Sequence, residues 1–216
     1  MRRPAATVDG GGTPQEWFRD LPIVTKLLFT STLFFAVCTT FELISPMTLI
    51  FFWPGIYEKF EVWRLFTAFT FAGSFSFPFA MHLYMLYQNS IRYEGNPFNT
   101  GARGTSADYL FMILFSMGVL CVLGYIFDAM LLSEPLLYVI MYVWSRKEPE
   151  TQTNIFGFKF KALYLPWVYV ALRMLMGNSI IGPLLGIGCG HFYYFLADVL
   201  PASHGWEVLR TPSFCV

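Results

Sequence analysis

Ser133 and His191 are the pair in this sequence that could form a covalent catalytic centre. A nucleophilic serine needs a base within hydrogen-bond reach and an oxyanion hole of free donors. No aspartate is obviously placed to orient His191, and Ser133 lies in Leu131-Leu132-Ser133-Glu134-Pro135. Leu and Glu crowd that serine, and Pro135 removes a backbone donor. An intramembrane serine protease using Ser133 therefore stands as an alternative reading, opposed by its own neighbours.

The other chemically able groups are polar residues set in or at the ends of long apolar runs: His82, Gln88, Asn89, Glu134, Asn178 and His191. A charged side chain at mid-bilayer costs at least about 2.5 to 3.5 kcal/mol, so such groups are expected to face the bundle interior or a water-filled groove. Taken singly, each is better explained by a hydrogen bond to a neighbouring helix or by snorkelling from a span end. Trp63-Arg64 is expected to anchor a loop: Trp at the interface, Arg capping loop carbonyls with its five donors. Gly182, Gly186 and Gly190 stand one turn apart and strip one helix face for close packing. Cys38, Cys121, Cys189 and Cys215 contain no CxxC pair, so no metal site or other cofactor is expected.

The elements that carry these residues are membrane spans. Of 216 residues, 56% are apolar and 13% charged, against about 25% charged in a soluble domain. Net charge is zero with no basic footprint, which argues against a nucleic-acid partner. An all-α membrane protein is predicted, with six transmembrane helices over about 23–43, 66–89, 109–127, 129–144, 162–176 and 179–200. Residues 1–12 are expected as a disordered cytosolic tail, 13–200 as the membrane domain and 201–216 as a cytosolic segment. Thr13-Pro14-Gln15-Glu16 has the capping-box form and predicts a short interfacial helix. Within 44–64, the apolar stretch Met47 to Trp53 should lie in the membrane face, Pro54-Gly55 should turn, and Ile56–Trp63 should form an amphipathic interfacial helix. The fourth and fifth runs, 16 and 15 residues, reach only about 22 to 24 Å of a ~30 Å hydrocarbon core. Either they extend into polar flanks or the bilayer thins beside them. With the N-terminus cytosolic, Arg2, Arg3, Arg19, Lys26, Arg92, Arg103, Arg146, Lys147, Lys159, Lys161 and Arg210 fall on the cytosolic side. Lys59, Arg64 and Arg173 fall opposite, so the positive-inside rule puts both termini in the cytosol. A secondary transporter would show inverted repeats, and none is visible.

Several blocks in order resemble the derlin family across about 17–211. They are Leu21-Pro22-Ile23-Val24-Thr25-Lys26, Trp63-Arg64, Gly101-Ala102-Arg103-Gly104, Ala107-Asp108-Tyr109-Leu110-Phe111-Met112, Tyr142-Val143-Trp144, Phe160-Lys161-Ala162-Leu163-Tyr164-Leu165-Pro166-Trp167 and Gly190-His191-Phe192-Tyr193-Tyr194-Phe195-Leu196. The resemblance implies a six-span rhomboid-like fold without protease chemistry. Counting back from Tyr142-Val143-Trp144, the rhomboid nucleophile falls on Ser133, but its flanking glycines are Leu131 and Glu134 here. Aligning the glycine repeat puts Pro183 where the catalytic histidine would be, and His191 two turns beyond. The resemblance further implies a multi-pass protein of the endoplasmic reticulum membrane that acts in endoplasmic-reticulum-associated degradation. Misfolded luminal or membrane proteins would pass to the cytosol through a groove in thinned lipid. Implied partners are membrane lipid, a multispan RING ubiquitin ligase complex, a cytosolic AAA ATPase (valosin-containing protein) and the misfolded substrates, with room for a homo-oligomer. Many derlins recruit the ATPase through a C-terminal box, and 212–216 does not show one. The expectation is that the C-terminal segment is cut short or recruitment is indirect.

Overall fold

The computed structural model describes residues 13–98, 105–155, 158–205, 208–209 and 211. The predicted tail 1–12, the block Gly101 to Gly104 and the C-terminal 212–216 lie outside the described residues. Helix α1 (Pro14–Asp20) starts on the capping box: Thr13 N–H donates to Glu16 Oε2 at 2.9 Å, and Glu16 N–H donates to Thr13 Oγ1 at 3.4 Å. Trp17 then donates through Nε1 to the Tyr87 hydroxyl at 2.7 Å.

Helix α2 (Ile23–Thr40) begins after Pro22, which has no side chain able to cap it. The orphan donors of its first turn are taken by Glu94, 70 residues away. That carboxylate accepts from Val24 N–H at 3.1 Å, Thr25 N–H at 2.8 Å and Thr25 Oγ1 at 2.7 Å. It also accepts from Ser106 Oγ at 2.7 Å and is 1% exposed. An anion at a helix N-terminus is favoured by both the free N–H groups and the dipole. Glu94 thereby ties α2 to the end of α5 (Phe77–Gly95) and the start of α6 (Thr105–Ile126).

Between α2 and α5 the chain departs from the sequence expectation twice. The loop helix is α3 (Trp53–Lys59) rather than Ile56–Trp63, because Pro54 sits in the first helical turn, where its missing N–H costs nothing. Phe60, left-handed at φ 53°, ends it. The predicted span 66–89 is not continuous either. Helix α4 (Arg64–Thr70) stops, residues 71–76 are irregular, and α5 restarts with Ser76 accepting from Phe79 N–H. Gly73 at φ +102° supports the break.

Helix α7 (Ser133–Lys147) begins four residues later than expected and forms the core: every residue from Pro135 to Ser145 is buried. Ahead of it, irregular backbone is satisfied by neighbours, with Phe51 N–H donating to Met130 O at 2.8 Å and Leu132 N–H to Ala68 O at 3.1 Å. Non-helical backbone at membrane depth survives only with such partners. After α7 comes an antiparallel hairpin that the sequence reading did not foresee, β1 (Gln152–Ile155) with β2 (Phe158–Lys161), in register Thr153 to Phe160. A 3₁₀ turn (Ala162–Tyr164) leads to α8 (Leu165–Leu175), then come α9 (Ile181–Tyr194), a π-helical stretch (Phe195–Val199) and α10 (Leu200–His204).

Three described helices are long and apolar enough to cross a membrane: Ile23–Thr40, Ser106–Ile126 and the continuous stretch Ile181–His204. Length and apolarity together are thus met at three of the six runs, the fourth and fifth having been expected to fall short. Helix α5 has the length but carries Arg92 and Glu94 in its last turns, while α7 and α8 are short.

Replacing Glu94 by Ala strands the N–H groups of Val24 and Thr25 and the hydroxyls of Thr25 and Ser106. We expect a loss of about 3 kcal/mol, seen as a fall of roughly 6 °C or more in the thermal unfolding of purified protein in detergent. An unchanged midpoint would mean that α2 does not depend on this cap.

Candidate functional site: a cavity between three helices

Helices α5, α7 and α8 line a half-open cavity of about 200 Å³. From α5 come Phe77, Pro78, Met81, His82 and Met85; from α7, Glu134, Leu137 and Tyr138. Helix α8 and the turn after it add Tyr169, Leu172, Arg173, Met176 and Asn178. The antiparallel course of α8 brings its last turn beside the first turns of α5 and α7, so charged and polar groups gather at one end.

The strongest contact there is the pair Arg173–Glu134, with Nη1 to Oε1 at 2.6 Å and both side chains partly exposed. The two form an ion pair, and Arg173 Nε has no hydrogen-bond partner among the described residues. Gly182 makes room for the carboxylate: a Cβ there would stand 3.4 Å from Glu134 Oε2. At this exposure the pair contributes modestly to stability, about 0 to 1 kcal/mol. Its importance is as a fixed dipole in a largely apolar wall.

Of the polar residues singled out in the sequence, the structure brings His82, Glu134 and Asn178 to this one cavity. The others lie elsewhere. Asn89 is buried on α5, donating through Nδ2 to Met85 O at 2.8 Å, with Oδ1 unpartnered among the described residues. Gln88 beside it is half-buried and outside the cavity wall. His191 is on an exposed face of α9, its Nδ1 2.7 Å from the Tyr142 hydroxyl, which also accepts from Arg146 Nε at 2.9 Å. Arg173 entered the sequence reading only through its charge, and Tyr138 and Tyr169 not at all. Tyr169 and Arg173 stand four apart on one face of α8, but no spacing rule links them to Glu134 and Tyr138, which they meet through helix packing across 31 to 39 residues.

Ser133 and His191 are not brought together. Ser133 Oγ donates to Phe71 O at 2.8 Å, closing the gap left by the break between α4 and α5. The α7 partner of His191 is Tyr142, nine residues further along, or about 13 Å at 1.5 Å per residue.

Arg64 is buried and directed at the loop. Its Nη1 donates to Met47 O at 2.6 Å and Ile50 O at 2.9 Å, and its Nε reaches Glu61 Oε2 at 2.6 Å. Thr67 Oγ1 donates to Leu49 O, and Trp63 Nε1 to Thr48 O at 3.3 Å. These contacts hold the segment 46–50 against α4.

The profile of the Der1-like family matches residues 21–213. The chain belongs to that family. It is 36% identical to Derlin-1.2 of Zea mays over 94% of this chain and 83% of that protein. It is 35% identical to a probable derlin-2 homolog of Dictyostelium discoideum over 93% of this chain and 80% of that protein. Derlin-1 of Oryza sativa subsp. japonica is 34% identical over 93% of this chain and 82% of that protein. With its apolar helices, this derlin is a multi-pass membrane protein.

The glycine face of this derlin's α9 lies directly on α7. A Cβ on Gly186 would collide with Pro135 O and stand 2.7 Å from Tyr138 Cβ, and one on Gly190 would stand 3.2 Å from Tyr142 Cβ. Gly188, on the other side of α9, would meet nothing within 4 Å. Gly186→Ala should therefore push α9 off α7 at a cost of about 1 to 3 kcal/mol, while Gly188→Ala should be neutral or slightly stabilising. Thermal unfolding of the two variants side by side tests this. Equal midpoints would contradict the close approach.

Proposed function

We propose that this derlin is a non-enzymatic factor of endoplasmic-reticulum-associated degradation, which lowers the cost of moving misfolded polypeptide from lumen or membrane to cytosol. The observation that carries the reading is a cavity with a polar end, flanked by two short helices. Helix α7 has 15 residues and α8 only 11, so they rise about 22 and 17 Å against a ~30 Å hydrocarbon core. Where helices fall short, lipid thins or water enters, and a polar chain faces a lower barrier.

In this reading the chain crosses the membrane six times in a rhomboid-like arrangement. The spans are α2, α4 with α5, α6, α7, α8, and α9 continuing into α10. Both termini are cytosolic in the endoplasmic reticulum membrane. The luminal end is then the end of the cavity where Glu134, Arg173 and Asn178 gather. A multispan RING ubiquitin ligase complex and a cytosolic AAA ATPase (valosin-containing protein), engaged directly or through that complex, mark and extract the substrate.

The protein is a pseudoprotease in this account. What supports it is the engagement of Ser133 Oγ with Phe71 O, the distance of His191 along the bundle, and Leu131 and Glu134 where flexible small residues would be needed. In cells lacking their own derlins, expression of this chain should restore turnover of a misfolded membrane substrate, and Ser133→Ala should restore it equally. Fluorophosphonate should leave Ser133 unlabelled. Substrate fragments that disappear with Ser133→Ala would overturn the proposal and establish the protease reading.

A further inference from the structure

Helices α7 and α9 run side by side in the same direction, with Gly182 beside Pro135, Gly186 beside Tyr138 and Gly190 beside Tyr142. His191 is therefore level with Tyr142, about one turn below Arg146 and Lys147. From there a row of rings runs to the segment ahead of α6. The His191 ring lies 5.9 Å from Tyr142 and 6.5 Å from Tyr194, and Tyr194 lies 5.7 Å from Phe98. A cation sits at each end of the row: Arg146 is 5.1 Å over Tyr142, and Lys147 is 4.7 Å over Phe98. Neither makes an ion pair among the described residues.

The hydrogen bonds decide what this row turns outward. The Tyr142 hydroxyl accepts from Arg146 Nε at 2.9 Å, and its own proton finds an acceptor in His191 Nδ1 at 2.7 Å. With Nδ1 accepting, the imidazole carries its proton on Nε2. Arg146 keeps its Nη groups, Lys147 its ammonium and His191 its Nε2–H, so the patch presents donors. Asp198, four residues beyond Tyr194, sets one negative charge against the two positive ones and leaves an excess of positive charge.

His191 does not face the bundle. Leu184, Gly188, His191 and Phe195 recur at helical spacing along one exposed face of α9, apolar except for the histidine. Gly188 leaves that face open one turn from His191, since a Cβ there would meet nothing within 4 Å. Complementing the dipole at the end of α7 accounts for Arg146 and Lys147. It does not account for an imidazole on a face of this kind, whose outward N–H needs an acceptor that Leu184 and Phe195 cannot supply.

We propose that this patch binds the headgroup of an anionic phospholipid. Its phosphate oxygens accept from Arg146, Lys147 and His191 Nε2, and an acyl chain lies along Leu184 and the open face at Gly188. A zwitterionic headgroup would set its ammonium beside two cations, and a soluble anion would leave the apolar face uncovered. The inference rests on the reading that α7 and α9 cross the bilayer, and in the orientation proposed above the lipid comes from the cytosolic leaflet.

The test uses the full chain in phosphatidylcholine nanodiscs doped in turn with phosphatidylinositol and phosphatidylcholine probes that carry the same acyl-chain diazirine. The phosphatidylinositol probe should label peptides from 184–195 roughly ten-fold more than the phosphatidylcholine probe, with no such preference on α2. Arg146→Gln with Lys147→Gln should abolish the preference, and His191→Phe, which keeps a ring and loses the donor, should reduce it. Gly188→Leu fills the open face and leaves every donor in place. It should lower the label as well, so the result does not hang on one variant folding. Equal labelling of α9 by both probes would overturn the proposal, as would a preference that survives loss of both cations or label displaced by inorganic phosphate. Any of these leaves the reading of α7 and α9 as spans intact. Labelling of α9 by neither probe would overturn the proposal and that reading together.

Discussion

The contact between the glycine face of α9 and the backbone of α7 governs the rest of the bundle. Gly186 rests on the carbonyl of Pro135, and Gly190 lies against Val139 and Tyr142, so the two helices meet with almost no side chain between them. In lipid there is little hydrophobic drive between helices, and association depends on packing of this kind. With α9 so close on one side and α5, α6 and α8 on the others, α7 is enclosed from Pro135 to Ser145. Its first turn is thereby fixed. Ser133 is held against Phe71 O, and Glu134 lies over Gly182 within reach of Arg173.

Two buried charges fasten the two ends of this bundle, and each acts on backbone. Arg64 gathers the carbonyls of Met47 and Ile50, groups that a chain entering the membrane face cannot leave unpaired. Glu94 performs the opposite task, accepting the free N–H groups at the start of α2 and linking them to Ser106. A buried charge survives when its lone pairs or protons find partners: Glu94 accepts four hydrogen bonds, and Arg64 donates through Nε to Glu61 and through Nη1 to two loop carbonyls.

Much of the architecture was legible in the apolar runs and in a few local signals. The capping box at Thr13, Arg64 and the glycine repeat were marked by local pattern; in the structure Thr13 and Glu16 bond reciprocally, Arg64 donates to the carbonyls of Met47 and Ile50, and Gly186 and Gly190 lie against α7. The break at 71–76 was passed over because Phe71, Ala72, Phe75, Phe77 and Phe79 keep the stretch apolar on average, although Gly73 and Pro78 within it are helix breakers. Hydropathy does not report that Leu132 N–H and Ser133 Oγ draw hydrogen bonds away to Ala68 and Phe71. Glu94 and Arg173 escaped for a related reason: each acts on a partner tens of residues distant, and only packing brings the two together. His82, Glu134 and Asn178 were picked out as polar residues in apolar surroundings, but the same rule also selected Gln88, Asn89 and His191, which lie outside the cavity.

The proposed conduit requires α7 and α8 to shape the membrane around them. Helix α8, with its 3₁₀ lead, and helix α7 each cover about 22 Å, some 8 Å less than an ordinary hydrocarbon core. Cryo-electron microscopy of the protein in lipid nanodiscs reads the headgroup-to-headgroup distance around its perimeter directly. A bilayer thinner by several ångströms beside α7 and α8 than beside α2 and α6 is the expected result. Uniform thickness around the whole perimeter would contradict the account.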